Sequence, residues 1–100
     1  MRYFFYRLNP PRPSFMMDIT PAEAGLMQAH GLYWRGLMAK GMVLAFGPVA
    51  DPKGTFGIAV VQLEDGTDAR LLADNDPVIK SNSGFSFEIH PMPQLLYPGA

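Results

Sequence analysis

The chain has 100 residues, which is enough for one hydrophobic core and too few for two. Its net charge is −1 and its basic residues are scattered singly, so nothing predicts binding to nucleic acid or to an anionic membrane. Cysteine is absent, which excludes disulfide scaffolds, cysteine-based zinc sites and thiol nucleophiles. No apolar run is long enough to span a bilayer and no signal-peptide pattern opens the chain, so we expect a cytoplasmic protein.

The first two predicted elements are a strand and a long helix. Arg2 to Leu8 is short and rich in aromatic residues, which favours a strand. After a proline-rich loop, Thr20, Pro21 and Glu23 form a capping box with proline at the first helical position, and Gly41 is a predicted stop. Three glycines inside this helix weaken it, and they predict close packing against the sheet or against a partner.

Three further strands and a second helix follow. Met42 to Phe46 is a continuous apolar run, which predicts a buried central strand that ends at Gly47-Pro48. Thr55 to Leu63 is the third predicted strand, and a short second helix is predicted from Asp68 to Asn75. Apolar and polar residues alternate from Phe85 to His90, which is typical of a half-exposed last strand.

This order predicts an α+β fold of the ferredoxin-like βαββαβ type, with a four-stranded antiparallel sheet and both helices on one face. The strands are too apolar for the other face to meet water, so we expect a homodimer that packs through the open sheet face. Residues 1–91 are predicted to form a single domain, and residues 92–100 a C-terminal tail.

His30 is the main candidate for chemistry, because it is an ionisable residue on an otherwise apolar helix. A neutral imidazole can accept or donate a proton at cellular pH, and a carboxylate can orient it and hold its tautomer. Asp76 and Asp51, each followed by proline, are the candidates for that carboxylate, although Asp-Pro also starts turns. The alternative is a structural histidine at a helix–sheet or subunit interface, and the sequence leaves both interpretations open.

Trp34, Tyr33 and Phe46 are the candidates for lining a ligand pocket, although aromatic residues at helix and strand spacing also build cores. His90 falls on the polar side of the last predicted strand and is expected to be solvated. The two histidines give no metal-ligand spacing, and there is no glycine-rich phosphate loop, so we expect neither a metal nor a cofactor.

Several short features follow one another along the chain. They are an opening strand, His30, Gly41, Gly47-Pro48, Asp51, Gly54, Asp76-Pro77 and Pro91. In this order they resemble the YCII-related proteins, over about Arg2 to Pro91. The resemblance implies a fold similar to the dimeric α+β barrels of the ferredoxin-like class. It also implies an enzyme that uses a helix histidine and an aspartate; His30 matches the first, and Asp76, with Asp51 as a second match, the other.

Two functions fit these expectations. The first is a small-molecule enzyme in which His30, assisted by Asp76 or Asp51, transfers a proton on an apolar or aromatic ligand without a cofactor. The second is a non-catalytic dimeric module that binds a metabolite or regulates a partner. The seven methionines favour the second, because flexible thioethers suit adaptable binding surfaces.

Overall fold

A computed structural model describes all 100 residues. The strands and helices in chain order are β1 (Arg2–Asn9), α1 (Phe15–Asp18), α2 (Pro21–Ala39), β2 (Val43–Val49), β3 (Phe56–Leu63), α3 (Arg70–Asp74), α4 (Pro77–Lys80) and β4 (Ser86–Met92). The strands form one antiparallel sheet in the order β2-β3-β1-β4. The predicted ferredoxin-like α+β fold, of the dimeric α+β barrel class, is therefore confirmed.

The central strand β1 shows how the two faces of the sheet differ. Phe4, Tyr6 and Leu8 are buried in the core beneath the helices, at no more than 6% exposure. Phe5 and Arg7 alternate with them and lie on the opposite face, where they are half-buried. Successive side chains of a strand point to opposite faces, so one face of the sheet carries the core and the other faces away from it.

We call the second face the open face, and it is mainly apolar at its centre. The register of the strands places the following residues on it: Tyr3, Phe5, Ile58, Val60, Glu88 and His90. At one end, the Arg7 guanidinium lies 3.7 Å above the ring of Phe56 and its Nε is 3.6 Å from Glu88. At the other end, the hydroxyl of Tyr97 in the C-terminal segment donates to Gln62 on β3 at 3.4 Å.

The predicted start of the long helix is confirmed in α2. The backbone N–H of Glu23 donates to the Thr20 hydroxyl at 3.2 Å, and the backbone N–H of Thr20 donates to the Glu23 carboxylate at 2.9 Å. Pro21 occupies the first turn, where its missing N–H costs nothing. After Ala39 the chain leaves the helix through Gly41, whose φ of +79° favours glycine.

The expectation that the three helix glycines pack closely against the sheet is wrong. A Cβ placed on Gly25, Gly31 or Gly36 would meet no other atom within 4 Å. The contacts of α2 with the sheet instead come from large side chains, of which Trp34 and Leu37 are buried.

The predicted position and ends of two strands need correction. β2 is an edge strand, not a central one, and it continues through Gly47-Pro48 to Val49. On the other edge, β4 runs on from His90 through Pro91 to Met92. Proline lacks a backbone N–H and would break a central ladder, but an edge strand has one side without a partner and tolerates it.

The second predicted helix, Asp68 to Asn75, is observed as the shorter α3, and α4 is a further helix that the sequence did not predict. Asp76 lies between the two in an extended conformation, with φ −66° and ψ 131°, and its side chain caps α4. The helices are separate because Pro77 disfavours the helical conformation for the residue before it. The proline-rich loop also contains the short helix α1, which the sequence did not predict. No helix of the structure is long and apolar enough to cross a bilayer.

Candidate functional site

A cavity of about 240 Å³ lies between α2 and the core face of the sheet. Its walls are almost entirely apolar, and the aromatic residues that contribute to them are Phe15, Trp34, Phe46, Phe56, Phe85 and Phe87. His30 is the one ionisable residue of the lining, and Thr55 contributes a hydroxyl. An apolar cavity with a few convergent polar groups is the usual form of a small-molecule site.

The imidazole of His30 on α2 contacts the buried carboxylate of Asp76 at the start of α4. Its Nδ1 lies 2.6 Å from Oδ2 of Asp76, a residue that is fully buried, while the His30 side chain itself is 15% exposed. The Trp34 indole donates to the same oxygen at 2.6 Å, and the backbone N–H of Val78 donates to the other oxygen at 2.9 Å. Three donors therefore compensate the carboxylate for its lost hydration.

The hydrogen bond to Asp76 determines which nitrogen of the neutral His30 imidazole carries the proton. A carboxylate only accepts, so the proton of a neutral His30 lies on Nδ1 and the lone pair lies on Nε2. Nε2 makes no hydrogen bond to the protein, and His30 lines the cavity, so this nitrogen is available to a molecule bound there. The arrangement suits a general base whose orientation is set by a carboxylate.

Tyr33 stabilises the contact between His30 and Asp76 from outside the cavity. It is absent from the cavity lining, and its ring packs edge-on against Trp34 with centroids 5.8 Å apart. Its hydroxyl donates to the carbonyl of Leu72 at 2.7 Å, which ties α2 to α3 directly before Asp76. Burial, and next the negative charge of Asp76, raise the pKa of Tyr33, so the phenol stays protonated and remains a donor.

The structure brings some of the sequence-predicted site residues together and leaves others apart. His30 and Asp76 are in contact, and Trp34 and Phe46 line the cavity. Asp51 lies in the turn between β2 and β3, where its carboxylate accepts the backbone N–H of Lys53 at 2.9 Å. It makes no contact with His30.

One wall of the cavity comes from residues 10–18, which we call the strap. Phe15 of the strap is buried and packs edge-on against Phe85, with centroids 5.4 Å apart, and Met16 lines the cavity although 55% exposed. A Cβ at Gly84 would lie 3.1 Å from Pro11, so the strap runs close against the loop before β4. The sequence offered one signal for this wall, which is the presence of large apolar residues in a proline-rich loop.

Arg12 fastens the strap to the start of α2. Two of its nitrogens donate to the two carboxylate oxygens of Glu23 at 2.7 and 2.8 Å, and its Nε donates to Asp18 at 2.7 Å. The hydrogen bonds from Arg12, and next that from the backbone of Thr20, lower the pKa of Glu23 to about 2. Bidentate pairing of this kind fixes geometry as well as charge.

No group of three or more histidine, cysteine, aspartate or glutamate side chains is arranged to hold a metal ion.

Comparison with known proteins identified a family and several solved structures of similar fold. Residues 1–93 match the YCII-related domain. The fold is similar to that of 5-chloro-2-hydroxyhydroquinone dehydrochlorinase from Burkholderia phenoliruptrix, solved in complex with 2,5-dihydroxybenzoquinone. The TM-score is 0.56 and the identity 20%, over 88% of this chain and 91% of that one. No curated protein matches the chain.

Proposed function

The chain belongs to the YCII-related family, and from this premise we propose that it is a small-molecule enzyme using His30 and Asp76 as an acid–base pair. The observation that carries the proposal is the 2.6 Å contact between His30 Nδ1 and Asp76 Oδ2 at the wall of an apolar cavity. Because Nδ1 of His30 is bonded to Asp76, Nε2 of His30 is free to accept a proton from a bound ligand.

The proposed chemistry is proton transfer without a cofactor. His30 Nε2 removes a proton from the ligand, and the imidazolium that forms is stabilised by the carboxylate of Asp76. In an isomerisation the same proton returns to another atom of the ligand. In an elimination it passes to solvent, while the leaving group departs with the bonding electrons.

Two features of the surroundings support this role. Asp76 is fully buried, so water screens its attraction for an imidazolium at His30 less than it would at the surface. The similarity in fold to a dehydrochlorinase also fits, because elimination of hydrogen chloride includes the removal of a proton. We assign Asp51 a turn role and not a catalytic one, since it makes no contact with His30.

The alternative is a non-catalytic module that binds a ligand or regulates a partner. It is favoured by the thioethers of Met16 and Met27 in the cavity wall, which adapt to ligands of different shape. The two functions differ in one respect, because only the enzyme needs the lone pair of His30.

The test is turnover of chlorohydroquinone, which can lose hydrogen chloride to give benzoquinone, measured as chloride release. We expect His30→Gln to lower turnover by about 10²-fold or more, the usual contribution of a general base. Arg35→Gln, which changes an exposed residue of α2 that does not line the cavity, is the control and should leave turnover unchanged. Full turnover in His30→Gln would end the proposal, and saturable binding without chemical change in the wild type would favour the binding module.

We further propose that two copies associate through the open face. Phe5 lies at its centre, directly opposite Val60 on one neighbouring strand and His90 on the other. Covering this apolar centre removes it from water, and a second copy supplies a matching surface. Phe5→Lys should convert a dimer to a monomer in light scattering, whereas Leu32→Lys, a change at an exposed residue of α2, should not. A monomeric wild type would contradict the proposal.

A further inference from the structure

We propose that the cavity selects an uncharged ligand of a single ring that offers one proton to His30, and that Thr55 provides the second polar contact. This inference rests on the proposed function of His30 and narrows the class of substrate. It is carried by the volume of the cavity, the charges around it and the hydrogen-bonding groups that remain free.

The volume limits the size of the ligand. A cavity of about 150 Å³ is large enough for benzene, and sites for drug-sized molecules begin at about 300 Å³. The cavity of this protein, at about 240 Å³, lies between these values. It therefore accommodates one ring with a few small substituents.

The charges limit the ligand to an uncharged one. No lysine or arginine lines the cavity. The basic residues of the adjoining surface cleft are Arg7, Arg12 and Lys53, and the first two are already paired with carboxylates. Lys53 is exposed and belongs to the cleft only. A carboxylate or phosphate that entered the cavity would lose its hydration without gaining a cation, at a large free-energy cost.

The free polar groups limit the number of hydrogen bonds. The indole N–H of Trp34 already donates to Asp76, so it is not available to a ligand. His30 Nε2 and the Thr55 hydroxyl are the side-chain groups of the lining without a protein partner. A ring with many hydroxyls would bury most of them unpaired, whereas a ring with one or two would have each satisfied.

Binding can be measured with the protein's own fluorescence. Trp34 is the only tryptophan of the chain, and it lines the cavity beside His30. The probes are phenol, toluene and benzoate, which share a ring and differ in charge and in hydrogen bonding. Excitation at the red edge of the indole absorption keeps phenol itself from contributing.

We expect saturable changes in emission with phenol, and binding of benzoate that is at least about tenfold weaker. Thr55→Val should weaken phenol about tenfold and leave toluene unchanged, because only phenol loses a hydrogen bond. Thr67→Val, at a turn outside the cavity, is the matched control and should bind all three as the wild type does.

Three results would each overturn a part of the inference. If benzoate binds as tightly as phenol, the cavity does not select against a negative charge. If the binding of phenol does not saturate, the proposed class of ligand is wrong. Equal phenol affinity in Thr55→Val would remove the role of Thr55. These outcomes are independent of the proposed function: if phenol binds as expected while His30→Gln keeps full turnover, the ligand class stands and the catalytic role fails.

Discussion

Two Asp-Pro pairs in this protein have the same local structure and different surroundings. In both Asp51-Pro52 and Asp76-Pro77, one carboxylate oxygen accepts the backbone N–H two residues further on, at 2.9 Å. The second oxygen of Asp76 also accepts hydrogen bonds from His30 and Trp34, and the residue is fully buried. Asp51 is only partly buried and has no side-chain partner.

The difference shows that tertiary packing, and not the local structure of Asp-Pro, creates the candidate site. The short-range chemistry of Asp-Pro specifies a turn in both places, because the aspartate side chain bonds its own backbone and proline cannot continue a ladder. Only the packing of α4 against α2 adds the histidine, which is 46 residues away in sequence from Asp76. The same dipeptide is therefore a turn in one place and part of a candidate active site in the other.

The largest expected effect is on stability and separates the two aspartates directly. Asp76→Ala leaves three donors unpaired, of which the Trp34 indole and the Val78 backbone N–H are buried, and should lower the free energy of unfolding by about 3–5 kcal/mol. Asp51→Ala removes one bond near the surface and should cost about 1 kcal/mol or less. Urea denaturation of both variants measures this difference, and equal losses would contradict the comparison.

The next effect concerns the imidazole of His30. In Asp76→Asn the acceptor charge is lost, so the preference for the proton on Nδ1 should weaken and turnover should fall by roughly 10²-fold. Nitrogen-15 NMR of the ring reports the tautomer directly. Asp51→Asn should leave both the ring shifts and the turnover unchanged, and a shift of the tautomer in that variant would show a coupling that the geometry does not contain.

A smaller effect is expected from Trp34→Phe, which keeps an aromatic ring but removes the indole N–H. Asp76 then loses one of its three donors, and the free energy of unfolding should fall by about 1–3 kcal/mol. Combining this change with Asp76→Ala gives a double-mutant cycle. Since the indole bond no longer exists once Asp76 is removed, the two losses should not add; additive losses would mean that Trp34 acts through packing alone.

The smallest effect extends the comparison to Glu23, a partly buried carboxylate paired with Arg12. The pKa of Glu23 is about 2 in the folded protein, below its ordinary value of 4.5. A lowered pKa stabilises the fold when the group is ionised, so this contribution is complete above about pH 4.5 and is lost as the pH falls toward about 2. In Glu23→Gln the acid destabilisation across this window should be shallower, while Glu64→Gln, at an exposed turn, should follow the wild type.

The sequence predicted the elements whose signals are local. The start of α2 was predictable because Thr20, Pro21 and Glu23 each act on the first helical turn. The location of β2 at the edge of the sheet was not, since neighbours in a sheet are decided by strands far apart in the chain. An apolar run looks the same whether it lies at the centre or at an edge beneath α2.

The candidate site was predictable to the same extent. His30 was identifiable because Leu26 and Trp34, one turn away on either side, give it apolar neighbours on the helix. Its contact with Asp76 depends on α4, a helix that the sequence did not predict and whose N-cap is the aspartate. The cavity wall supplied by Phe15 depends on where the strap returns to the body, and no local pattern specifies that return.

The prolines of the two outer strands have a consequence for association. Pro48 lies in β2 and Pro91 lies in β4, which are the two edges of the sheet. An added strand from another molecule would meet a pyrrolidine ring where it needs a hydrogen-bond donor, at both sides. Open-ended strand addition, which leads to fibrils, is therefore disfavoured at both edges, whereas the proposed association through the open face involves no backbone pairing.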